Sequence, residues 1–370
     1  MKKLRLSILS LGILVLALSS CKKEEPTVNE VKSSNLPSTF KVDIPDAISY
    51  EDNSAGKTDE VDTLQGNHVY AHLRTFIKVG EGAADIVQAI VVALNVYNIN
   101  QAMTFSYQSN EDGRTKNVVV TEGASFDGKN YEFKLNIKDA LSEGNADQGF
   151  AMQLFWNTTV AEGVAILKPY NINRTEHENA PDAVFRVDYG ETGEFGYEQH
   201  MIVQLSGLPI PTPLLTPYAM DNLKMFAGKT GNTVDVYGGS NHPNAKFFNN
   251  SVGYNWAFVA SGRNDLEIGV AEVGIPLNTL SSSDRNILLV ENSIKQVFTD
   301  QIYEIWPNIN QNDLDAYLAN TEAPGFFNQS GFVQAGTAPN NDYVTLENRI
   351  QELIPYNPSD IKSLEVAFQP

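Results

Sequence analysis

The chain has 370 residues, with 45 acidic side chains against 26 basic ones and a formal net charge of −19. A field of that sign repels DNA, RNA and anionic lipid headgroups, and no basic stripe with interleaved aromatics offsets it, so nucleic-acid binding is excluded. The single cysteine, Cys21, permits no internal disulfide, so packing and hydrogen bonding must hold the fold.

Lys2, Lys3 and Arg5 precede a short apolar stretch over residues 6–18, and small Ser19 and Ser20 stand just before Cys21. This is the layout of a secretory signal, too short and wrongly flanked for a spanning helix. The run Leu18-Ser19-Ser20-Cys21 resembles a bacterial lipobox, which implies a diacylglycerol on the Cys21 thiol and a new N-terminus there. Lys22-Lys23-Glu24-Glu25 follows, and a lysine with two acids at this place resembles the export signal of Bacteroidetes-type surface lipoproteins. The resemblance covers only these few residues. It implies an address, the outer face of the outer membrane, and carries no fold. On this reading residues 1–20 are a lipoprotein signal peptide. Losing their three positive charges takes the net charge from −19 to −22. The membrane is then held through the N-terminal lipid, because no second run of 18 or more apolar residues follows.

Residues 21–36 are polar and read as a flexible tether. A helix plus antiparallel strands is expected over residues 37–280. Phe40, Val42 and Ile44 alternate, which predicts a short first strand, and the acidic stretch 51–63 predicts a loop. Residues 64–97 carry apolar side chains at helical spacing, among them Val69, Leu73, Ile77, Val87 and Leu94. Gly80 and Gly82 predict a break or kink there, and Gly80 with Ala84 offers a small patch for close packing. Residues 86–96 are apolar almost all round, which predicts a helix buried on most sides.

From residue 102 to 280 the period is two. Tyr131, Phe133, Leu135 and Ile137 alternate with polar residues, and Phe150, Met152, Leu154 and Trp156 do the same. Turn signals such as Asp127-Gly128 and the glycines of 190–193 and 228–231 fall between such runs. Hairpin following hairpin, about ten to twelve strands in all, predicts an α+β fold that is mainly antiparallel β. The expected form is a large up-and-down sheet, curled or barrel-like, with a buried N-terminal helix and C-terminal helices. One face is expected to be wet and the other covered. Four prolines in 209–217 break the pattern. Residues 281–370 are expected to be a helical region packed on the preceding domain. Ser281 to Asp284 offer an N-cap, and Ile287, Leu288, Ile294, Val297, Phe298 and Ile302 carry a stripe as far as Trp306-Pro307. Shorter helices are expected over 313–318 and 344–353, and Leu364, Val366 and Phe368 suggest a final strand.

Few residues offer chemistry. His68 and His72 lie four apart on one helix face, but the zincin glutamate and a third ligand are missing, so no metal is expected. His177 sits between Glu176 and Glu178 in a polar loop, and His200 and His242 lack a nucleophile motif. Asn308, Asn310, Asn312 and Asp315 are spaced like a calcium loop. However, Asp313 occupies the glycine position and Ala319 that of the closing acid, so this is no EF-hand. No phosphate-binding glycine loop is present. No cofactor and no catalytic residue is assigned.

Aromatic and apolar side chains remain. Phe326-Phe327 and Phe332 read as a loop-borne sticky surface or pocket lip. The helix over 85–97 is expected against the inner face of the sheet. A gap between them would be lined by Ile86, Ala89, Ile90, Phe133, Leu154 and Trp156, and a lipid tail there gains about 0.8 kcal/mol per buried methylene. The functional expectation is therefore a non-enzymatic, lipid-anchored surface protein carrying a hydrophobic or lipid ligand. The alternatives are a glycan-binding surface module of a nutrient-uptake system and a structural or adhesive surface protein. An enclosed apolar cavity favours the first, a flat exposed aromatic platform the second, and a filled interior the third.

Overall fold

Thirteen antiparallel strands follow one another in the sheet in the order of the sequence. They are β1 (Met103–Gln108), β2 (Thr115–Phe126), β3 (Lys129–Asp139), β4 (Phe150–Asn157), β5 (Glu162–Leu167), β6 (Val184–Gly190), β7 (Gln199–Ser206), β8 (Asn222–Thr230), β9 (Thr233–His242), β10 (Tyr254–Arg263), β11 (Ile268–Gly274), β12 (Gly325–Asn328) and β13 (Gly331–Ala335). The sheet is open, with β1 and β13 as its edges, so it is not a closed barrel. The helices are α1 (Val69–Leu94), α2 (Pro169–Ile172), α3 (Ile294–Ile305), α4 (Gln311–Tyr317), α5 (Val344–Ile350) and α6 (Pro358–Lys362). The computed structural model describes residues 36–50, 66–99, 101–209, 217–247 and 253–369. Cys21, Lys22, Lys23, Glu24 and Glu25 lie outside the described residues, as do the acidic stretch 51–63 and most of the proline-rich segment.

The chain divides into two compact units. The first takes residues 82–209, the segment before Val42 and the tail from Glu365, and so holds β1 to β7. Period-two alternation works here as the sequence leads one to expect. Tyr131, Phe133, Leu135 and Ile137 of β3 are buried and their neighbours are not. Leu135 stands opposite Leu154, and Phe133 opposite Trp156 with ring centroids 5.2 Å apart. Each such side chain contributes about 1.5–3 kcal/mol by leaving water. Asp127 and Gly128 both take positive φ in the two-residue turn between β2 and β3, the conformation that Asp-Gly hairpins favour.

Strand β4 departs from the expected wet face, because Phe150 to Trp156 are all buried. Its second face is covered by the C-terminal tail. Phe368 stacks on Phe150 at 5.2 Å, and Val366 and Phe368 pack against Phe126, Phe155, Val164 and Ile166. The Gln369 amide donates to Gln153 Oε1 at 2.8 Å, and Gln153 Nε2 returns a bond to the Gln369 carbonyl. The predicted final strand is thus an extended tail held by side chains and outside the ladder. The predicted first strand behaves likewise. Phe40, Val42 and Ile44 are buried in alternation, yet they pair with no strand among the described residues.

The second unit takes residues 42–81 and 210–364, with β8 to β13. Here β10 and β11 are buried along almost their whole length, so the one-wet-face expectation fails again. One side carries Leu288 and Leu289 with Tyr343, Leu346, Ile350 and Leu353 packed on Ala257, Val259 and Val270. Arg349 pins α5 down through Asp235, whose carboxylate also accepts from Ser261 Oγ at 2.6 Å. Other contacts come from the first half of α1. Phe76 meets Trp256 edge-on at 4.8 Å, and Tyr70 lies against Phe327 and Phe332.

Helix α1 runs 26 residues without the expected break, and Gly80 serves contact instead of bending, while a Cβ on Gly82 would meet open space. A Cβ on Gly80 would stand 2.7 Å from Met225 Cε and 3.1 Å from Leu223. Val69–Tyr97 is long and apolar enough to cross a membrane by length and composition, but Val69, Tyr70, Ile77, Ala83, Val87 and Val91 have no exposed surface. Its last turns are less covered than expected, with Val92 and Val96 open to solvent.

Phe326-Phe327 lies in β12 and Phe332 in β13, which corrects the reading of a loop lip. Phe326 and Phe327 are fully buried, and Phe332 stacks on Tyr70 at 5.4 Å. A short strand covered on both faces reads as a plain apolar run, so alternation was never there to see.

Candidate functional site

The residues nominated from the sequence are mostly absorbed by packing. Leu154 and Trp156 have no exposed surface and Phe133 lies on Trp156. Ile86 is buried, and Ala89 and Ile90 are half-buried on α1. His68 falls in the 3-10 turn Gly66–His68 ahead of α1, and burial lowers its pKa. His72 stacks on Tyr218, ring centroids 3.5 Å apart. No group of three His, Cys, Asp or Glu side chains is arranged to hold a metal among the described residues.

Strand β9 brings together a pair that sequence reading passed over. Ser240 and His242 are two residues apart, so they share a face. His242 Nδ1 lies 3.1 Å from the Tyr218 carbonyl, which only accepts, so the proton sits on Nδ1. Nε2, 2.6 Å from Ser240 Oγ, then accepts from the hydroxyl. Burial holds the imidazole pKa down to about 3, against the opposing pull of the Tyr218 carbonyl. The arrangement has the form of nucleophile, base and orienting group. Yet both side chains are 0 % exposed, so no substrate reaches the hydroxyl, and the pair serves the core.

A second polar cluster is closed at its centre, with Arg114 partly exposed at its edge. Lys116, fully buried on β2, donates to Asp112 at 3.0 Å, to Asp139 at 3.2 Å and to the Asn171 carbonyl at 2.9 Å. Arg114 grips both oxygens of Asp139 at 2.5 and 2.8 Å. Burial works against the Asp139 carboxylate, but Arg114 and Lys116 outweigh it and hold the pKa down to about 2. Every charge here has a partner, which is what makes burial tolerable.

An open site lies at the junction of α3 and α4 in the second unit. Helix α3 begins at the Ser293 cap, not at Ser281 to Asp284, and buries Ile294, Val297, Phe298 and Ile302 of the predicted stripe, while Ile287 and Leu288 fall in a separate helical segment, Asn286–Glu291. It ends at Trp306, because Pro307 allows no further helical hydrogen bond. Asn310 then caps α4 by accepting from the Asp313 amide at 3.0 Å. Its amide also donates to the Asp313 carboxylate. Asn310, one of the residues spaced like calcium ligands, therefore serves as a helix cap. Leu314 and Leu318 anchor α4 from below, which leaves Asp313 and Tyr317, one helical turn apart, facing outward.

Trp306 and Tyr317 meet across this turn. Their rings are near-parallel at 19°, with centroids 6.0 Å apart, and they are 41 % and 58 % exposed. They line a shallow cleft of about 740 Å³ together with Ile305, Asn308, Ile309, Asn310 and Asp313. Two large rings held side by side with amides and a carboxylate beside them offer an apolar face and a polar rim. That combination suits an amphipathic ligand with one C–H face and hydroxyls at its edge. In the sequence Trp306 is only the end of a stripe and Tyr317 only a helix residue. The Pro307 stop and the Asn310 cap were the signals that the chain doubles back between them.

The chain matches no known family model, no curated protein and no solved structure.

Proposed function

We propose that this chain is a non-enzymatic, lipid-anchored surface protein that binds glycans through Trp306 and Tyr317. The observation that carries the reading is the exposed, near-parallel ring pair flanked by Asn308, Asn310 and Asp313. The C–H face of a pyranose lies flat on an aromatic ring, and its hydroxyls reach amides and carboxylates at the rim. The address rests on the lipobox and the charges after it: Cys21 carries the lipid, and Lys22, Lys23, Glu24 and Glu25 direct display at the outer face of the outer membrane. The carrier reading has less support, since Leu154, Trp156 and Phe133 are taken up by their neighbours.

The test is a glycan array probed with the full chain in mild detergent, followed by calorimetry. Covering about 50 Å² of ring face at about 25 cal/mol/Å² gives about 1.3 kcal/mol, roughly tenfold in affinity. Trp306→Ala and Tyr317→Ala should each cost about that much while leaving the fold intact, because both side chains are exposed. Absence of any glycan ligand, or affinities untouched by both substitutions, would refute the reading.

A further inference from the structure

We infer that the ligand of the Trp306–Tyr317 face is a neutral glycan lying along the open side of the rings, and that uronate- or sulfate-bearing chains are turned away. The inference rests on the glycan reading above and narrows it to a substrate class.

Charge is the first ground. Between Lys295 and Arg349 the chain carries Asp300, Glu304, Asp313, Asp315, Glu322, Asp342 and Glu347, with no Lys, Arg or His. Lys295 itself is 3.0 Å from Glu322. Recognition of a carboxylate or sulfate calls for a guanidinium, an ammonium or several free backbone N–H groups. The segment lining the cleft has no cationic side chain, and the Asp313 amide at the start of α4 is already taken by Asn310. An exposed carboxylate at Asp313 instead accepts from hydroxyls, which neutral sugars supply in abundance.

Ring spacing is the second ground. A sugar held between two ring faces needs two van der Waals contacts of about 3.5–4.0 Å each, so roughly 7–8 Å in total. The centroids of Trp306 and Tyr317 are 6.0 Å apart. The ligand therefore does not sit between the rings but stacks on an outward ring face, where C–H contact is the main attraction. The cleft is lined by residues of the single segment 305–317. Among the described residues no lining side chain comes from elsewhere to close its ends, so it suits an internal stretch of a polymer better than a chain terminus.

The experiment is native affinity electrophoresis of the full chain in non-ionic detergent. The gels contain soluble β-glucan, galactomannan or arabinoxylan as neutral probes, and polygalacturonate or alginate as anionic ones. At least one neutral polymer should retard the wild type, Trp306→Ala should weaken that retardation roughly tenfold, and the polyuronates should not retard it. Raising salt from about 0.1 M to about 1 M, which cuts the screening length from about 10 Å to about 3 Å, should leave neutral binding nearly unchanged. The double variant Glu304→Lys/Asp315→Lys, which alters exposed acids outside the lining, should keep neutral binding and gain roughly threefold or more toward polygalacturonate at low salt. Trp306-dependent retardation of the wild type by a polyuronate would overturn the inference while leaving the glycan reading in place. Retardation by no polymer, or retardation indifferent to Trp306→Ala, would remove the glycan reading itself.

Discussion

Replacing Asp139 by Asn tests whether the buried charge cluster stabilises the first unit as its geometry implies. The carboxylate accepts two bonds from Arg114, one from Lys116 and one from the Leu141 amide, and the side chain is wholly buried. The Asp139→Asn change would leave Lys116 with Asp112 as its one carboxylate and Arg114 without the acid it grips. Breaking a buried pair from one side costs about 3–5 kcal/mol. A pH dependence should accompany this. Asp139 is depressed from 3.8 to about 2, which corresponds to about 2 kcal/mol at 1.36 kcal/mol per unit. For a depressed carboxylate that stability is present above the unfolded pKa and is lost as pH falls through the folded one. The gap between wild type and Asp139→Asn should therefore be full at neutral pH and narrow by about 2 kcal/mol between pH of about 4 and about 2. Trp156 on β4 reports this unit in urea titrations when the other two tryptophans, Trp256 and Trp306, are replaced by Phe in both proteins. A gap under about 1 kcal/mol at neutral pH, or one that does not change down to pH of about 2, would refute the reasoning.

Gly274→Ala should fail to fold or lose more than about 3 kcal/mol, since the new Cβ would lie 1.7 Å from the Leu288 carbonyl oxygen; thermal melts check this, and a neutral outcome would mean that Leu288 can move away. Cys21→Ala should abolish fatty-acid labelling and release the protein from membranes, as metabolic labelling with fractionation would show. Changing Lys23, Glu24 and Glu25 to Ala should leave the protein acylated but shielded from protease added to intact cells.

Legibility followed the number of wet faces. Strand β3 has one, so Tyr131 to Ile137 declare themselves by alternation, and Asp127-Gly128 marks its turn. Strands β10 to β12 are covered on both sides, and their period fades into an apolar run. Phe326-Phe327 accordingly passes for a loop. Gly80 illustrates a different limit. Sequence shows that a glycine is there, but whether it bends the helix or admits Met225 depends on a partner more than a hundred residues away. The Trp306–Tyr317 pair is invisible for a related reason. Neither residue breaks a pattern, and their meeting is fixed by a turn geometry that periodicity does not encode. The Ser240–His242 pair was within reach, since alternate positions of any strand share a face.

Because each strand follows its sequence neighbour in the sheet, much of the ladder can grow hairpin by hairpin, although β12 joins β11 only after the helical segment 275–324. The tail contact reaches further still. Gln369 must find Gln153 across 216 positions, long after β4 and β5 can have paired. Until it does, the cluster of Phe126, Tyr131, Phe155, Val164 and Ile166 lacks the cover of Val366 and Phe368. The tail is thus a late-closing latch, and the interval before it closes is when this chain is most exposed to sticking to another of its kind.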